Sequence, residues 1–141
     1  MASGVRVVRA PQGVGVPLAS VELLTSAVGE IEDAVASPRA ADRYIKGHRV
    51  ARRAAAAVLA ARAHPDQSRA PRNVWELLPG VAPELREWAE FFSAGTGRRI
   101  AAEAGLDVVN AREADDLVRD AHNFLDIVVA LLVRGSDRRA Q

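Results

Sequence analysis

Residues 44–63 read YIKGHRVARRAAAAVLAARA, and they decide the fold class of this 141-residue chain. Alanine has the highest helix propensity, because its side chain loses no rotamer freedom and clashes with no neighbouring turn. The stretch therefore predicts one helix. Because so many of its side chains are small, other helices can pack close to its axis. We expect a central helix in an all-α domain.

This helix has two chemically different faces. At 100° per residue, one arc collects apolar residues together with His48, and the opposite arc collects basic ones. The apolar arc contains Tyr44, Ala51, Ala55, Val58 and Leu59. The basic arc contains Lys46, Arg49, Arg52 and Arg53. The basic arc is the candidate for binding RNA backbone or an acidic partner. The alternative is a solvated face, or one paired with carboxylates of neighbouring helices.

Apolar residues recur at three- and four-residue steps on both sides of the central helix. A first helix is predicted with Ser20 as a plausible N-cap, or with a start one turn earlier at Pro17, and it ends at Ser37-Pro38. Its apolar stripe is Val21, Leu24, Val28, Ile31 and Val35. A polar loop follows at 64–72, then a short turn that Asn73 can cap and that Pro79-Gly80 stops. A third helix starts at Pro83 and weakens at 95–97. A fourth runs to Gly135 from a capping-box-like start formed by Asn110 and Glu113.

The order of these elements predicts how they pack. Four long helices joined mostly by short loops favour an antiparallel bundle, so the predicted fold is an all-α bundle of four to five helices. We expect one domain over 17–134, with flexible tails at 1–16 and 135–141. The aromatic residues Trp75, Trp88, Phe91 and Phe92 cluster in sequence, and we expect them to plug one end of the bundle.

Composition excludes several classes of protein. The net charge is only +1, which gives no bulk electrostatic case for binding nucleic acid or membrane. The absence of cysteine excludes disulfides and zinc sites built on sulfur. No apolar run is long enough for a signal peptide or a membrane span. We expect a soluble, cytoplasmic protein with no membrane contact.

One polar stripe on the fourth predicted helix has parts suited to catalysis. Asp115, Arg119, His122 and Asp126 are separated by four, three and four residues, so they share one side of the helix. The imidazole could move a proton near neutral pH, and the guanidinium could stabilise charge on a phosphodiester. Ion pairs at this spacing are also common and weak, so the stripe is equally consistent with a solvated or interhelical face.

Other candidate chemistry is sparser. Arg43 and His48 point about 140° apart on a helix, and His48 lies among apolar neighbours, so we expect a buried, hydrogen-bonded histidine. Three scattered histidines without a His-Glu-x-x-His pattern predict no metal site. There is no glycine-rich phosphate loop after a strand, and no cofactor is predicted.

Several stretches together resemble a small actinobacterial group within the HEPN superfamily. They are Tyr44-x-x-x-His48, RAAAAVLAAR at 53–62, VWELL at 74–78, APELREWAEFF at 82–92 and READDLVRDAH at 112–122. The resemblance covers roughly residues 18–134. It implies a bundle of four or five helices that commonly forms a homodimer. Many members are metal-independent RNases with an arginine, a polar residue, three others and a histidine near the last helix, and two copies of this motif meet across the dimer.

The chain departs from that motif. Arg119-Asp-Ala-His122 is two residues too short, and the pair with the right spacing, Arg43 and His48, lies on another helix. Three hypotheses follow. The first, which we favour, is a non-catalytic dimeric module that binds RNA, nucleotide or protein through its arginines. The second is a metal-independent endoribonuclease of a toxin, defence or RNA-processing system, using Arg119 and His122 with Asp115 or Asp126 orienting the imidazole. The third is a purely structural or regulatory bundle.

Overall fold

The computed structural model describes residues 15–63 and 73–140, and over these ranges the chain is helical and contains no strand. The all-α fold class is therefore confirmed. The predicted loop at 64–72 and nearly all of the predicted tail at 1–16 lie outside the described residues. The helices are α1 Leu18–Ala36, α2 Ala40–Arg62, α3 Val74–Val81, α4 Arg86–Ala94, α5 Thr96–Glu103 and α6 Ala111–Ala140, with a 3₁₀ turn Pro83–Leu85 before α4.

The alanine-rich stretch forms α2, which is the centre of the bundle as predicted. Its residues Ala51, Ala54, Ala55 and Ala57 are fully buried. α2 packs along the two other long helices, α1 and α6, and also contacts α3 and α5. Alanine suits this position because a small side chain lets several helices approach the same axis.

α1 and α2 form an antiparallel pair joined by residues 37–39. The hydroxyl of Ser20, near the start of α1, donates a buried hydrogen bond of 2.7 Å to the carbonyl of Ala57, near the end of α2. α4 is also antiparallel to α2, because Arg62 at the end of α2 pairs with Glu84 just before α4, while Gly95 at the end of α4 lies beside Tyr44.

α6 runs parallel to α2, as the second and fourth members of an up-and-down bundle do. Arg43 near the start of α2 pairs with Asp115 near the start of α6. One turn further on, the two helices approach closely at Gly47, where an added Cβ would lie 2.6 Å from Leu117 Cδ1. The third position of the bundle is divided among shorter segments, which confirms the predicted weakening of the helix at 95–97.

Two helix ends follow the capping chemistry expected from the sequence, and two do not. Asn73 caps α3, and Asn110 with Glu113 forms a reciprocal capping box at the start of α6. The prediction that Gly135 ends the last helix is wrong, since α6 continues to Ala140. A single glycine inside a helix costs only about 1 kcal/mol relative to alanine, which a 30-residue helix tolerates. α3 likewise continues through Pro79-Gly80 to Val81.

Candidate functional site

The polar stripe of α6 lies beside a groove between α6 and α1, with a volume of about 660 Å³. α1 contributes mostly apolar side chains to this groove, and α2 contributes Arg43. The lining residues are Val28, Ile31, Glu32, Val35, Arg43, Asp115, Val118, Arg119 and His122. Three of the four residues predicted for catalysis therefore share one concave surface, and the fourth, Asp126, lies one turn beyond His122.

The members of the stripe are not paired with one another as a catalytic group would be. His122 Nδ1 lies 3.9 Å from Asp126 Oδ2, which is beyond hydrogen-bond distance. Arg119 contacts Asp116 at 3.2 Å, so its guanidinium has a carboxylate partner outside the stripe. The side chains of His122 and Arg119 are both more than half exposed. In a single chain the stripe is a set of separate exposed pairs.

Arg43 is a groove residue that the sequence analysis placed in no site. Its Nε donates to Asp115 Oδ1 at 3.0 Å, and its Nη1 donates to the carbonyls of Ser37 and Pro38 at 3.2 and 3.0 Å. A cation bound to carbonyls just beyond a helix C-terminus is favourably placed in the helix dipole. Arg43 therefore joins the end of α1 to the start of α6 and fixes the polar end of the groove.

His48 does not belong to this groove. Only 1% of it is exposed, and its ring lies edge-on to Tyr44 and Phe92 at centroid distances of 4.8 and 6.0 Å. Burial is confirmed, but the predicted hydrogen bonding is wrong at one atom, because Nε2 has no hydrogen-bond partner. Burial lowers the pKa of His48 to about 4, and the charges of Arg99 and Arg52 act in the same direction. Arg43 and His48 therefore do not form a joint site.

The basic arc of α2 is partly neutralised by a carboxylate of the neighbouring helix α1, which is one of the alternatives that the sequence left open. Glu30 of α1 accepts from Arg49 at 2.7 Å and from Arg53 at 3.0 Å. Lys46 donates to the hydroxyl of Ser37 at 2.8 Å. Arg52 has no hydrogen bond or ion pair with any residue of the described chain. The alternative of carboxylate pairing thus holds for two of the four residues.

Arg52 lies at a concavity of about 380 Å³ that is lined by Arg49, Arg52, Arg53, Ala56 and Val74. Burial lowers the pKa of Arg52, and the charge of Arg99 on α5 adds to this effect, followed by those of Arg49 and Arg53, while Glu103 opposes it. Arg99 itself donates to both carboxylate oxygens of Glu103 at 3.0 Å. Several guanidinium groups therefore converge around one that lacks a counter-ion.

A second feature, which we call the α1–α6 face, is apolar. Of the ten large hydrophobic residues exposed in the described chain, six lie on α1 or α6: Leu18, Val21, Val28, Val35, Ile127 and Val133. A second groove of about 360 Å³ is lined by Val16, Val21, Leu24, Thr25, Val28, Val129, Leu132 and Val133. Because Val28 lines both grooves, the two grooves meet at this residue. From the sequence, Val21, Val28 and Val35 belong to the apolar stripe of the first helix, and their exposure was not indicated.

The described residues contain neither a cluster of metal-ligating side chains nor a helix able to span a membrane. Nowhere in 15–63 and 73–140 do three histidine, aspartate or glutamate side chains come close enough to hold a metal ion. Within the same ranges, no helix combines the length and the apolar character that are required to cross a membrane.

One known protein family matches most of the chain. A model of the SAV_6107-like HEPN family matches residues 34–129, which is more than half of the chain. The match extends from the end of α1 to most of α6, so it includes Arg43, the basic arc and the polar stripe. No curated protein and no solved structure matches the chain. The chain therefore belongs to the SAV_6107-like HEPN family of the HEPN superfamily.

Proposed function

We propose that this chain is a non-catalytic, homodimeric HEPN domain of the cytoplasm that binds RNA or a protein partner through its arginines. The observation that carries the proposal is the α1–α6 face. Its two grooves meet at Val28 and are lined by four exposed large apolar side chains, those of Val21, Val28, Val35 and Val133. Contiguous exposed apolar surface of this kind marks interaction sites in soluble proteins.

A second copy of the chain suits this face well. In a two-fold symmetric dimer the same patch contacts itself, so the patch must be self-complementary. Its apolar part satisfies this condition, and its polar end carries both signs of charge, with Glu32 and Asp126 against Arg119. Across a two-fold axis, a carboxylate of one copy can face Arg119 of the other, and this charge complementarity favours one register.

The geometry of the polar groups favours binding over catalysis. General acid–base catalysis needs a proton-transfer group and a charge-stabilising group directed at one reacting atom. Arg119 is directed to Asp116, Asp115 to Arg43, and His122 lies next to Asp126 only. His48, which has the family spacing to Arg43, is buried in the core.

Replacing Val28 by glutamate is expected to convert a wild-type dimer into a monomer, because it places a carboxylate at the centre of the apolar contact. Val28 is 49% exposed, so the variant should fold with helical content and melting temperature close to wild type. Light scattering coupled to size exclusion measures the mass. Ile100→Glu, equally exposed but on α5, is the matched control and should stay dimeric. A monomeric wild type, or a dimeric Val28→Glu, would contradict the proposed interface.

A second candidate function is metal-independent endoribonuclease. It is favoured by one observation: His122 and Arg119 line the same groove and both are accessible to a substrate. In a dimer built on the α1–α6 face, the stripes of two copies would approach each other. A composite site could then contain an arginine from one copy and a histidine from the other.

The two functions differ in one assay, performed on single-stranded and structured RNA in the presence of EDTA. The proposed function expects no cleavage by the wild type. The nuclease alternative expects cleavage that His122→Ala abolishes and that the neighbouring exposed control Asn123→Ala retains. That result, with the dimer intact, would replace our proposal. Cleavage that is equal in the wild type and His122→Ala would exclude His122 as the catalytic group.

A further inference from the structure

We infer that the concavity between α2 and the start of α3 binds a backbone phosphate of single-stranded RNA, and that Arg52 is the residue that contacts it. This inference rests on the RNA-binding part of the proposed function and gives it a location and a ligand group. We call this concavity, lined by Arg49, Arg52, Arg53, Ala56 and Val74, the Arg52 site. It shares no residue with either groove of the α1–α6 face.

Positive charge exceeds negative charge around the Arg52 site. Within the described chain, Arg49 and Arg53 share the single carboxylate of Glu30, and Arg99 is held by Glu103. Lys46 has a neutral hydroxyl partner, and Arg52 has none. Five cations therefore have two carboxylates between them, and Arg52 is the one of the five that makes no hydrogen bond or ion pair with a described residue.

The positive charge of Arg52 is held in an unfavourable environment. It is partly buried, and its positive charge is disfavoured by that burial and by the guanidinium of Arg99. Placing a cation in this position is costly unless an anion accompanies it. A bound phosphate would offset both effects, and a planar guanidinium can donate two parallel hydrogen bonds to its oxygens.

Two arginine side chains of the Arg52 site are preorganised for binding. Glu30 is 13% exposed and holds Arg49 and Arg53 at 2.7 and 3.0 Å, so two long side chains are already fixed at the rim of the site. A ligand that binds there does not have to order them, which removes part of the entropic cost of association. Isolated surface arginines would lack this advantage.

The shape and composition of the surface favour RNA over an acidic protein. Lys46, Arg49 and Arg53 follow one side of α2 over two turns, or about 11 Å, so they can accompany a chain of successive phosphates. Three of the five residues that line this concavity are arginines, whose guanidinium groups suit the phosphates of RNA. The extensive apolar surface lies on the α1–α6 face instead.

The test is a fluorescence-anisotropy titration of a labelled 15-nucleotide single-stranded RNA. Arg52→Gln is expected to weaken binding about tenfold at low salt, the effect of losing one hydrogen-bonded charge. It should also reduce the slope of log Kd against log salt by about 0.7. Arg112→Gln removes the same charge from a side chain that is 90% exposed and outside the site, and should change Kd less than twofold. Arg52→Lys should give an intermediate affinity, and it provides the test if Arg52→Gln does not fold.

Several outcomes would overturn the inference. Equal RNA affinity of the wild type and Arg52→Gln would show that the phosphate does not bind at the Arg52 site. If Arg119→Gln, but not Arg52→Gln, abolished binding, RNA would bind at the α1–α6 face and the proposed function would survive without the Arg52 site. Displacement of the RNA by an equimolar poly-glutamate peptide would show a general anion site. Absence of RNA binding at low salt would refute the inference and the RNA part of the proposal together, while the Val28→Glu experiment would still test the dimer.

Discussion

Replacing Phe92 by alanine is expected to lower the free energy of unfolding by about 3–5 kcal/mol, the usual cost of deleting a buried phenylalanine ring. Phe92 is fully buried and lies at the centre of the aromatic cluster. Its ring lies within 6.0 Å, centroid to centroid, of five others: His48, Trp75, Trp88, Phe91 and Phe124. Since these rings come from α2, α3, α4 and α6, the cavity would loosen four helices at once.

Urea denaturation followed by far-UV circular dichroism measures this loss without depending on the two tryptophans in the cluster. Phe91→Ala is the matched control, because the neighbouring ring has the same size but is 46% exposed and, among the aromatic rings of the described residues, contacts two rather than five. Half the burial should make its loss about 1 kcal/mol. Equal losses for the two variants would show that Phe92 is not the centre of the core.

Local features of the fold were predictable from the sequence because they depend on residues a few positions apart. The helical character and central burial of α2 follow from its alanines, and the capping box at the start of α6 follows from Asn110 and Glu113. The end of α6 was not predictable in this way. Gly135 is a weak stop signal, and the residues beyond it continue the helix.

The orientation of α1 shows a different limit. An apolar period identifies a helix but does not say which arc is buried when small residues offer a second possibility. The fully buried arc of α1 includes Ser20, Ala27 and Ala34, which allow close contact with α2, whereas Val28 and Val35 are exposed. The exposure of Val28 and Val35 therefore depends on how α1 packs against the other helices, which the apolar period does not specify.

The candidate sites show the same division. That Asp115, Arg119 and His122 share one surface follows from their spacing on a single helix. Their partners do not, since Arg43 is 72 residues from Asp115 and Glu30 is 19 and 23 residues from the two arginines it binds. The isolation of Arg52 is likewise a property of tertiary packing, because its neighbours on α2 are equally basic in sequence.

The second large effect is expected on acidification, and it comes from His48. Its pKa is about 4 in the folded chain and near 6.5 when the chain unfolds. Above pH 6.5 the imidazole of His48 is neutral in both states, so its titration does not reduce the free energy of unfolding. Below pH 6.5 the unfolded state binds a proton at His48, whereas the folded state does not. The free energy of unfolding therefore falls by up to about 1.4 kcal/mol per pH unit, and the decrease levels off near pH 4. The total loss is about 3 kcal/mol.

The surroundings of His48 explain why the folded state resists protonation. The ring faces Tyr44 on its own helix and Phe92 on α4, and the charges that act on its pKa are those of the cations Arg99 and Arg52. A Cβ at Gly95 would lie 2.9 Å from Nε2, so the backbone at the end of α4 closes the side towards which that nitrogen points. Within 15–63 and 73–140, no carboxylate forms a hydrogen bond or ion pair with the ring that would stabilise an imidazolium.

Urea denaturation of wild type and His48→Gln at half-unit steps from pH 7 to pH 4 isolates this contribution. Glutamine cannot take up a proton, so the difference in unfolding free energy between the two proteins should shrink steadily below pH 6.5 and become constant near pH 4. Titration of the carboxylates acts on both proteins and cancels in the difference. Parallel curves over the whole range would mean that His48 is protonated as readily in the folded chain as in the unfolded one, and that its burial does not exclude the charge.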